Sequence, residues 1–395
     1  MSIDVTKIIG GPAKASYGGA TIYSKEDIIE EIDLETFDIT TDRFQKVDER
    51  VSGTPVRVRL TPIGILADLI PFYNFIANLP LGDLMTPVRT FGTVTAGDDS
   101  VEIEGHKLRA GMAVKLSTSE EDLPAGLDTA TLYYVGVIDA DNISFHTTYA
   151  DAIALTNAVD ITDAGTGTHK LIQQEPLVIH TVHGKKITYH NAVIVQLPKL
   201  TPGAKKTILG EIIFEAFLRN DMDAEDANSI YTEADAAYTD DEFDPADIIT
   251  QCYGAEWGEE APFDDFATKE GWELDFPMTL EAVETDCQGV LTRRLVGVAA
   301  TAKAQPLGIS ESELRTKRKI QGAGANRSRS LAGDDLNITG TGVYIRLYAA
   351  ALRGQSPLNY GSKSDRLGTL EWGATRSWSS GVPNPLFFVG DSAPA

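Results

Sequence analysis

The sequence is poor in cysteine, in positive charge and in uninterrupted apolar stretches, and each shortage removes a class of protein. Cys252 and Cys287 are the only thiols in 395 residues. They could pair, but they suit buried packing in a reducing compartment better than a disulfide framework. Lys and Arg number 34 against 58 Asp and Glu, a formal net charge of −24. Duplex binding needs phosphates neutralised, so the chain as a whole is not a nucleic-acid binder. The most apolar stretch, Pro62 to Leu81, is broken by Asp68, Pro71, Asn74, Asn78 and Pro80. Those residues are costly in hydrocarbon, so no membrane association is expected. The stretch predicts one or two short amphipathic helices laid on a core. Met1 to Lys7 carries neither the basic nor the apolar region of a secretion signal.

Chemistry is equally sparse. Gly322-Ala323-Gly324-Ala325-Asn326-Arg327 lacks the third glycine of a nucleotide fingerprint and follows the basic run Lys317-Arg318-Lys319 instead of a strand, which makes it a flexible loop. His180, His183 and His190 are close in sequence, but His180 and His183 face opposite sides of a predicted strand, so they do not converge on a metal. His106 and His169 each precede a Lys-Leu pair near the two ends of the 93–172 stretch and are expected on edge strands. Glu259, Glu260, Asp264 and Asp265 could supply a glycosidase-like pair, yet a chain this acidic produces such pairs by abundance alone. No Ser-His-Asp or Cys-His arrangement has a local signature. The expectation is a protein that is no enzyme, with no cofactor and no metal.

What is present is β-rich. Length allows two or three domains. In Val56-Arg57-Val58-Arg59-Leu60 the apolar residues face a core, leaving Arg57 and Arg59 on the other face to meet a neighbour. Further strands are predicted over Leu177 to Ile179, Ile187 to Val195, Thr207 to Leu218, Trp272 to Val283, Leu291 to Ala302 and Gly342 to Leu352, with turns at His183-Gly184-Lys185-Lys186 and Thr201-Pro202-Gly203-Ala204. Between Thr93 and Ile172 lie shorter strand-like runs, Ala113 to Leu116, Tyr133 to Ile138 and Asn142 to Phe145, separated by Gly, Asp, Asn and Ser. This pattern predicts a small β domain over 93–172 inserted into a larger one that spans 1–92 and 173–395. The insert is expected to project outward and to be dispensable for assembly. No repeat of the main domain is legible.

Charge is segregated. Residues 221–270 hold 17 acidic side chains against Lys269, whereas Arg293 to Arg329 holds nine basic ones against Glu311 and Glu313. Opposite patches suit head-to-tail contact between copies. The basic segment 310–336 reads as a loop or arm whose Arg315, Lys317, Arg318 and Lys319 meet Asp240, Asp241, Glu242 and Asp244 of another copy, with Arg57 and Arg59 as secondary contacts.

The order of several motifs resembles the major tail tube proteins of long-tailed bacteriophages. They are Gly11-Pro12-Ala13, Tyr17-Gly18-Gly19-Ala20-Thr21-Ile22-Tyr23, Arg57-Val58-Arg59-Leu60-Thr61-Pro62, Pro176-Leu177-Val178-Ile179, Leu197-Pro198-Lys199-Leu200, Lys206-Thr207-Ile208-Leu209-Gly210, Trp272-Glu273-Leu274 and Arg366-Leu367-Gly368. Within the insert, Leu123-Pro124-Ala125-Gly126-Leu127 and Asp163-Ala164-Gly165-Thr166-Gly167-Thr168-His169 resemble a small β-module embedded in phage structural proteins. The resemblance implies a mainly β fold: a tail-tube-like β-sandwich or barrel with a flanking α-helix, plus the inserted domain. It further implies six copies per ring, rings stacked into a tube whose lumen conducts DNA without gripping it, other tail proteins as partners, and a place in the virion after synthesis in the host cytoplasm. A tail completion or adaptor ring would share the fold. A glycan-binding or glycan-cleaving β-protein is the alternative from another class.

Overall fold

The computed structural model describes residues 13–25, 27–32, 35–41, 45–53, 55–63, 66–119, 122–182, 184–203, 209–217, 230–236, 253–258, 263–285, 289–307, 309, 334–340, 342–353, 368–375, 378–379, 382–383 and 385–394. They form a mainly β protein of antiparallel sheets. Among them, no helix is long and apolar enough to cross a membrane.

The chain opens with β1 (Ala13–Tyr17) and β2 (Ala20–Tyr23), a hairpin turned at Gly18 and Gly19, whose φ values of 55° and 91° favour glycine. β3 (Ile29–Ile32) pairs with β6 (Val56–Leu60). Between them, β4 (Glu35–Thr41) and β5 (Gln45–Gly53) form a separate two-stranded ribbon. β6 alternates as expected, with Val56, Val58 and Leu60 buried. The apolar stretch after it forms one helix, α1 (Leu66–Asn78), which buries Leu69, Phe72, Tyr73 and Ile76 and carries Pro71 inside it.

A seven-stranded sheet follows: β7 (Val88–Phe91), β8 (Thr93–Thr95), β9 (Ser100–Glu102), β10 (Ala113–Thr118), β11 (Tyr133–Val137), β12 (Asn142–His146) and β13 (His169–Gln173), in the order β7-β13-β10-β11-β12-β9-β8. A short helix, α2 (Tyr149–Ala154), is capped by the Thr148 hydroxyl, which accepts from the Asp151 N–H. Gln173 N–H donates to the Pro87 carbonyl at 3.3 Å where the chain enters and leaves this sheet. The two histidines expected on edge strands are elsewhere. His106 is buried in the β9–β10 loop, its ring satisfied by the Asp139 carbonyl at 3.0 Å and the Leu108 N–H at 2.9 Å. His169 starts the interior strand β13 and packs 5.3 Å from the Phe91 ring. Both rings have a hydrogen-bond partner at each nitrogen, the Thr118 hydroxyl and the Ala164 carbonyl serving His169, so neither is left unsatisfied by burial.

β14 (Leu177–Thr181) and β15 (Lys185–Tyr189) form the expected hairpin. The single strand predicted over Ile187 to Val195 divides at His190, because β16 (Asn191–Gln196) crosses into another sheet. The strand predicted over Thr207 to Leu218 is the shorter β17 (Ile212–Phe217), and β18 (Tyr231–Asp235) pairs with β15. Two sheets result, β18-β15-β14-β1-β2 and β16-β17-β6-β3. They face each other through Tyr17, whose ring lies 4.9 Å from Phe214 and whose hydroxyl donates to the Ala192 carbonyl at 2.9 Å.

The rest of the chain contains β19 (Gly254–Trp257), β20 (Ala267–Asp275), β21 (Met278–Thr285), β22 (Gly289–Val298), β23 (Thr301–Leu307), β24 (Asp334–Gly340), β25 (Val343–Arg353), β26 (Leu370–Gly373), β27 (Trp378–Ser379), β28 (Val382–Pro383) and β29 (Phe387–Gly390). The strand predicted over Trp272 to Val283 breaks at Phe276-Pro277, where proline has no N–H to give to a ladder. The one predicted over Leu291 to Ala302 breaks at Ala299-Ala300.

These strands repeat the first half. The order β16-β17-β6-β3 recurs as β25-β26-β23-β20, and β18-β15-β14-β1 recurs as β29-β25-β24-β19, with the long β25 standing for both β15 and β16. Each half sends out a ribbon, β4–β5 or β21–β22. Adding 244 to every residue number carries the register of the first ribbon onto the second, from Glu35↔Gly53 to Thr279↔Gly297, both bulges included. Side chains follow at the core. Ala15↔Ile179 recurs as Ala255↔Ile338, and the Tyr17–Phe214 contact recurs as Trp257–Trp372 at 6.0 Å. The chain is two copies of one sandwich unit, the first carrying α1 and the seven-stranded module.

Candidate assembly site

The halves are joined edge to edge. Leu200, just after β16, exchanges two backbone hydrogen bonds with Leu274 of β20, at 3.0 and 2.7 Å, so the first half's sheet continues into the second. Residues 82–85 run beside β22 through Gly82 N–H to Leu295 O and Met85 N–H to Arg293 O, each 2.7 Å. Helix α1 lies across the same joint. The Asn74 amide bonds both backbone groups of Val389, and Tyr73 packs 5.4 Å from Phe276, which in turn lies 4.4 Å from Phe387.

One charge cluster locks this joint. Glu215 interrupts the apolar run of β17 and is 1% exposed. Arg293 of β22 donates to both its oxygens, at 2.6 and 2.8 Å, and Arg57 of β6 approaches from the other side at 3.5 Å. Two cations and a bidentate geometry compensate a carboxylate that would otherwise be costly to bury.

A second buried pair fixes the module to the first half. Arg109, from the β9–β10 loop, bonds Glu175, which also accepts from the Gln173 amide at 2.9 Å and the Ala113 N–H at 3.3 Å. The Arg109 guanidinium lies 4.2 Å from the centre of the Phe72 ring of α1, and burial pushes its pKa down to about 10. Beside it, the Tyr149 ring of α2 fits between Gly19 of the host hairpin and Gly111 of the module, where any Cβ would overlap it. A recess of about 180 Å³ lies where module and both halves meet, lined in part by Thr86 and Thr292, whose hydroxyls share a 2.8 Å hydrogen bond.

Of the residues expected at a subunit interface, Arg57 pairs with Glu215 and Arg59 donates to Glu31 at 2.6 Å, both within the chain. Their side chains remain 43% and 34% exposed. Arg315, Lys317, Arg318, Lys319, Asp240, Asp241, Glu242 and Asp244 lie outside the described residues, as do Cys252, Cys287, His183, Glu259, Glu260 and the loop at Gly322. His180 bonds the Ala236 carbonyl at 3.2 Å, and His190 the Thr232 hydroxyl at 3.0 Å. Asp264 and Asp265 are exposed neighbours on a bend. Among the described residues, no three His, Cys, Asp or Glu side chains are grouped to hold a metal. Sequence reasoning passed over Glu175, Arg109 and the role of Glu215. The signal for Glu215 is a lone acid inside Ile212-Ile213-Phe214-Glu215-Ala216-Phe217. No protein-family model matches the chain, and no curated protein matches it.

Proposed function

We propose that this chain is a structural virion protein: a tail tube subunit that associates head to tail into rings, the rings stacking into a conduit for DNA. The observation that carries this reading is the edge-to-edge joint between two like sandwich units in one chain, at Leu200 and Leu274. A joint of that kind is heterologous and continues from copy to copy. The residues behind the tail-tube resemblance support it, since Tyr17, Arg57 to Leu60 and Leu177 to Ile179 lie on the two facing sheets, with α1 alongside. The net charge of −24 per chain suits a wall along which DNA slides without being held. The role asks for no catalytic residue and no cofactor. Negative-stain microscopy of the purified protein tests the proposal: open tubes with a central channel are expected, and particles without a channel reject it. Duplex DNA should elute freely from the assembled protein at moderate salt.

A further inference from the structure

The second half shows what the first half is missing. Register and the shift of 244 place Ile32 of β3 where the second half has Phe276, and Glu30 where it has Leu274. Phe276 is 2% exposed, covered by Tyr73 of α1, and Leu274 is fully buried against Leu200. Ile32, in contrast, is 55% exposed, and Ile29 on the same short edge strand is 50% exposed. The pattern extends to the neighbouring sheet. Tyr231, opposite Tyr189, holds the position of Phe387, opposite Leu347, yet is 43% exposed where Phe387 is 1% exposed. The ribbons differ in part: β22 has residues 82–85 along its outer edge, whereas β5, among the described residues, is laddered to β4 alone and lies near β22 of its own chain.

We infer that the β3 edge, with Ile32, is the docking surface for the second half of another copy of this chain, joined sheet edge to sheet edge as Leu200 and Leu274 are joined within the chain. The partner is the same protein because the chain already contains this contact once. An edge strand that exposes isoleucines is a liability when left alone, and a following copy removes it. Each chain then supplies two adjacent sheet units, so a ring of six units closes with three chains. That count rests on the tail-tube reading, whereas the docking surface rests on the duplication alone.

Native mass spectrometry of the purified assembly, with microscopy of the same sample, tests both parts. Three chains per ring are expected. Ile32→Lys should abolish rings while the melting temperature of the monomer stays at the parent value, and Ile138→Lys, at an exposed site on the module, should assemble normally. Six-chain rings, or an Ile32→Lys protein that assembles like the parent, overturn the inference. Tubes of six-chain rings would leave the tail-tube reading standing, and three-chain rings without a channel would leave only the docking surface. A parent that stays monomeric at every concentration overturns both.

Discussion

The guanidinium of Arg293, from the second half, forks onto the carboxylate of Glu215, from the first, with its Nε and Nη2 at 2.6 and 2.8 Å from the two oxygens. The joint between the halves therefore holds an ion pair whose carboxylate is buried and whose guanidinium side chain is 18% exposed. Removing one partner of such a pair strands the other. Arg293→Ala should destabilise the chain by about 3 kcal/mol in urea unfolding, toward the lower end of the usual cost because Arg57 stays within reach of Glu215. The double variant Arg293→Met with Glu215→Leu should recover most of that loss.

Tyr149 supplies a steric test of how the module is seated. Gly111 has a φ of 73°, and a Cβ there would overlap the ring. Gly111→Ala should lower the melting temperature through both effects. Adding Tyr149→Ala should relieve the overlap but leave the left-handed backbone penalty of roughly 1–2 kcal/mol. Equal melting temperatures for the single and double variants would show that the ring does not occupy this notch.

Excision of the module needs different boundaries from those drawn on the sequence. Cutting 93–172 removes Arg109, leaves Glu175 buried without its cation and strands β7. Replacing 88–173 by a short Gly/Ser linker is geometrically easy, because Pro87 and Gln173 are hydrogen-bonded neighbours. With Glu175→Gln this variant should fold and assemble. With Glu175 retained it should be less stable by about 3 kcal/mol in the same urea measurement.

Acid should weaken the module first. Burial lowers the His106 pKa below its ordinary 6.5, so the folded protein holds fewer protons there than the unfolded chain and loses stability as pH falls below that value. Four carboxylates add to this at lower pH. The Thr131 hydroxyl lowers Asp128, the Asp141 N–H lowers Asp139, the Thr148 hydroxyl lowers Asp151, and the Ala125 N–H lowers Asp163. Their stabilisation is present above the ordinary 3.8 and is lost as pH falls through the depressed values. Amide exchange in β10 to β13, followed from pH 7 to 3, should show a first loss of protection that His106→Asn removes.

Much of the local structure was legible because it follows two-residue periodicity. Val56 to Leu60, Ala113 to Leu116 and Gly342 to Leu352 are strands for that reason. Periodicity does not show where a chain changes sheets, so the breaks at His190 and Ala299 were invisible, and Pro277 was the one residue that could have marked a third. The duplication was hidden because it resides in pairing register more than in residue identity. Thr36 and Leu280 occupy the same place, as do Glu30 and Leu274. In hindsight, Leu209-Gly210 with Ile212, Phe214 and Ala216 echoes Leu367-Gly368 with Leu370, Trp372 and Ala374. Arg57 and Arg59 were singled out by their outward face, but the exposed edge at Ile32 gains its meaning only from its buried counterpart.

Entry and exit of the module at adjacent residues also set how it responds to force. Tension along the chain reaches it through Pro87 and Gln174, at one end of the antiparallel pair β7–β13. Pulled from there, the ladder parts like a zipper, one rung at a time, instead of resisting with all its rungs in shear. Once the Arg109–Glu175 clasp opens, the module can pay out slack at roughly 3.3–3.6 Å per residue while the paired sandwiches keep their shape. A fold inserted this way is a spring in series with a stiff frame.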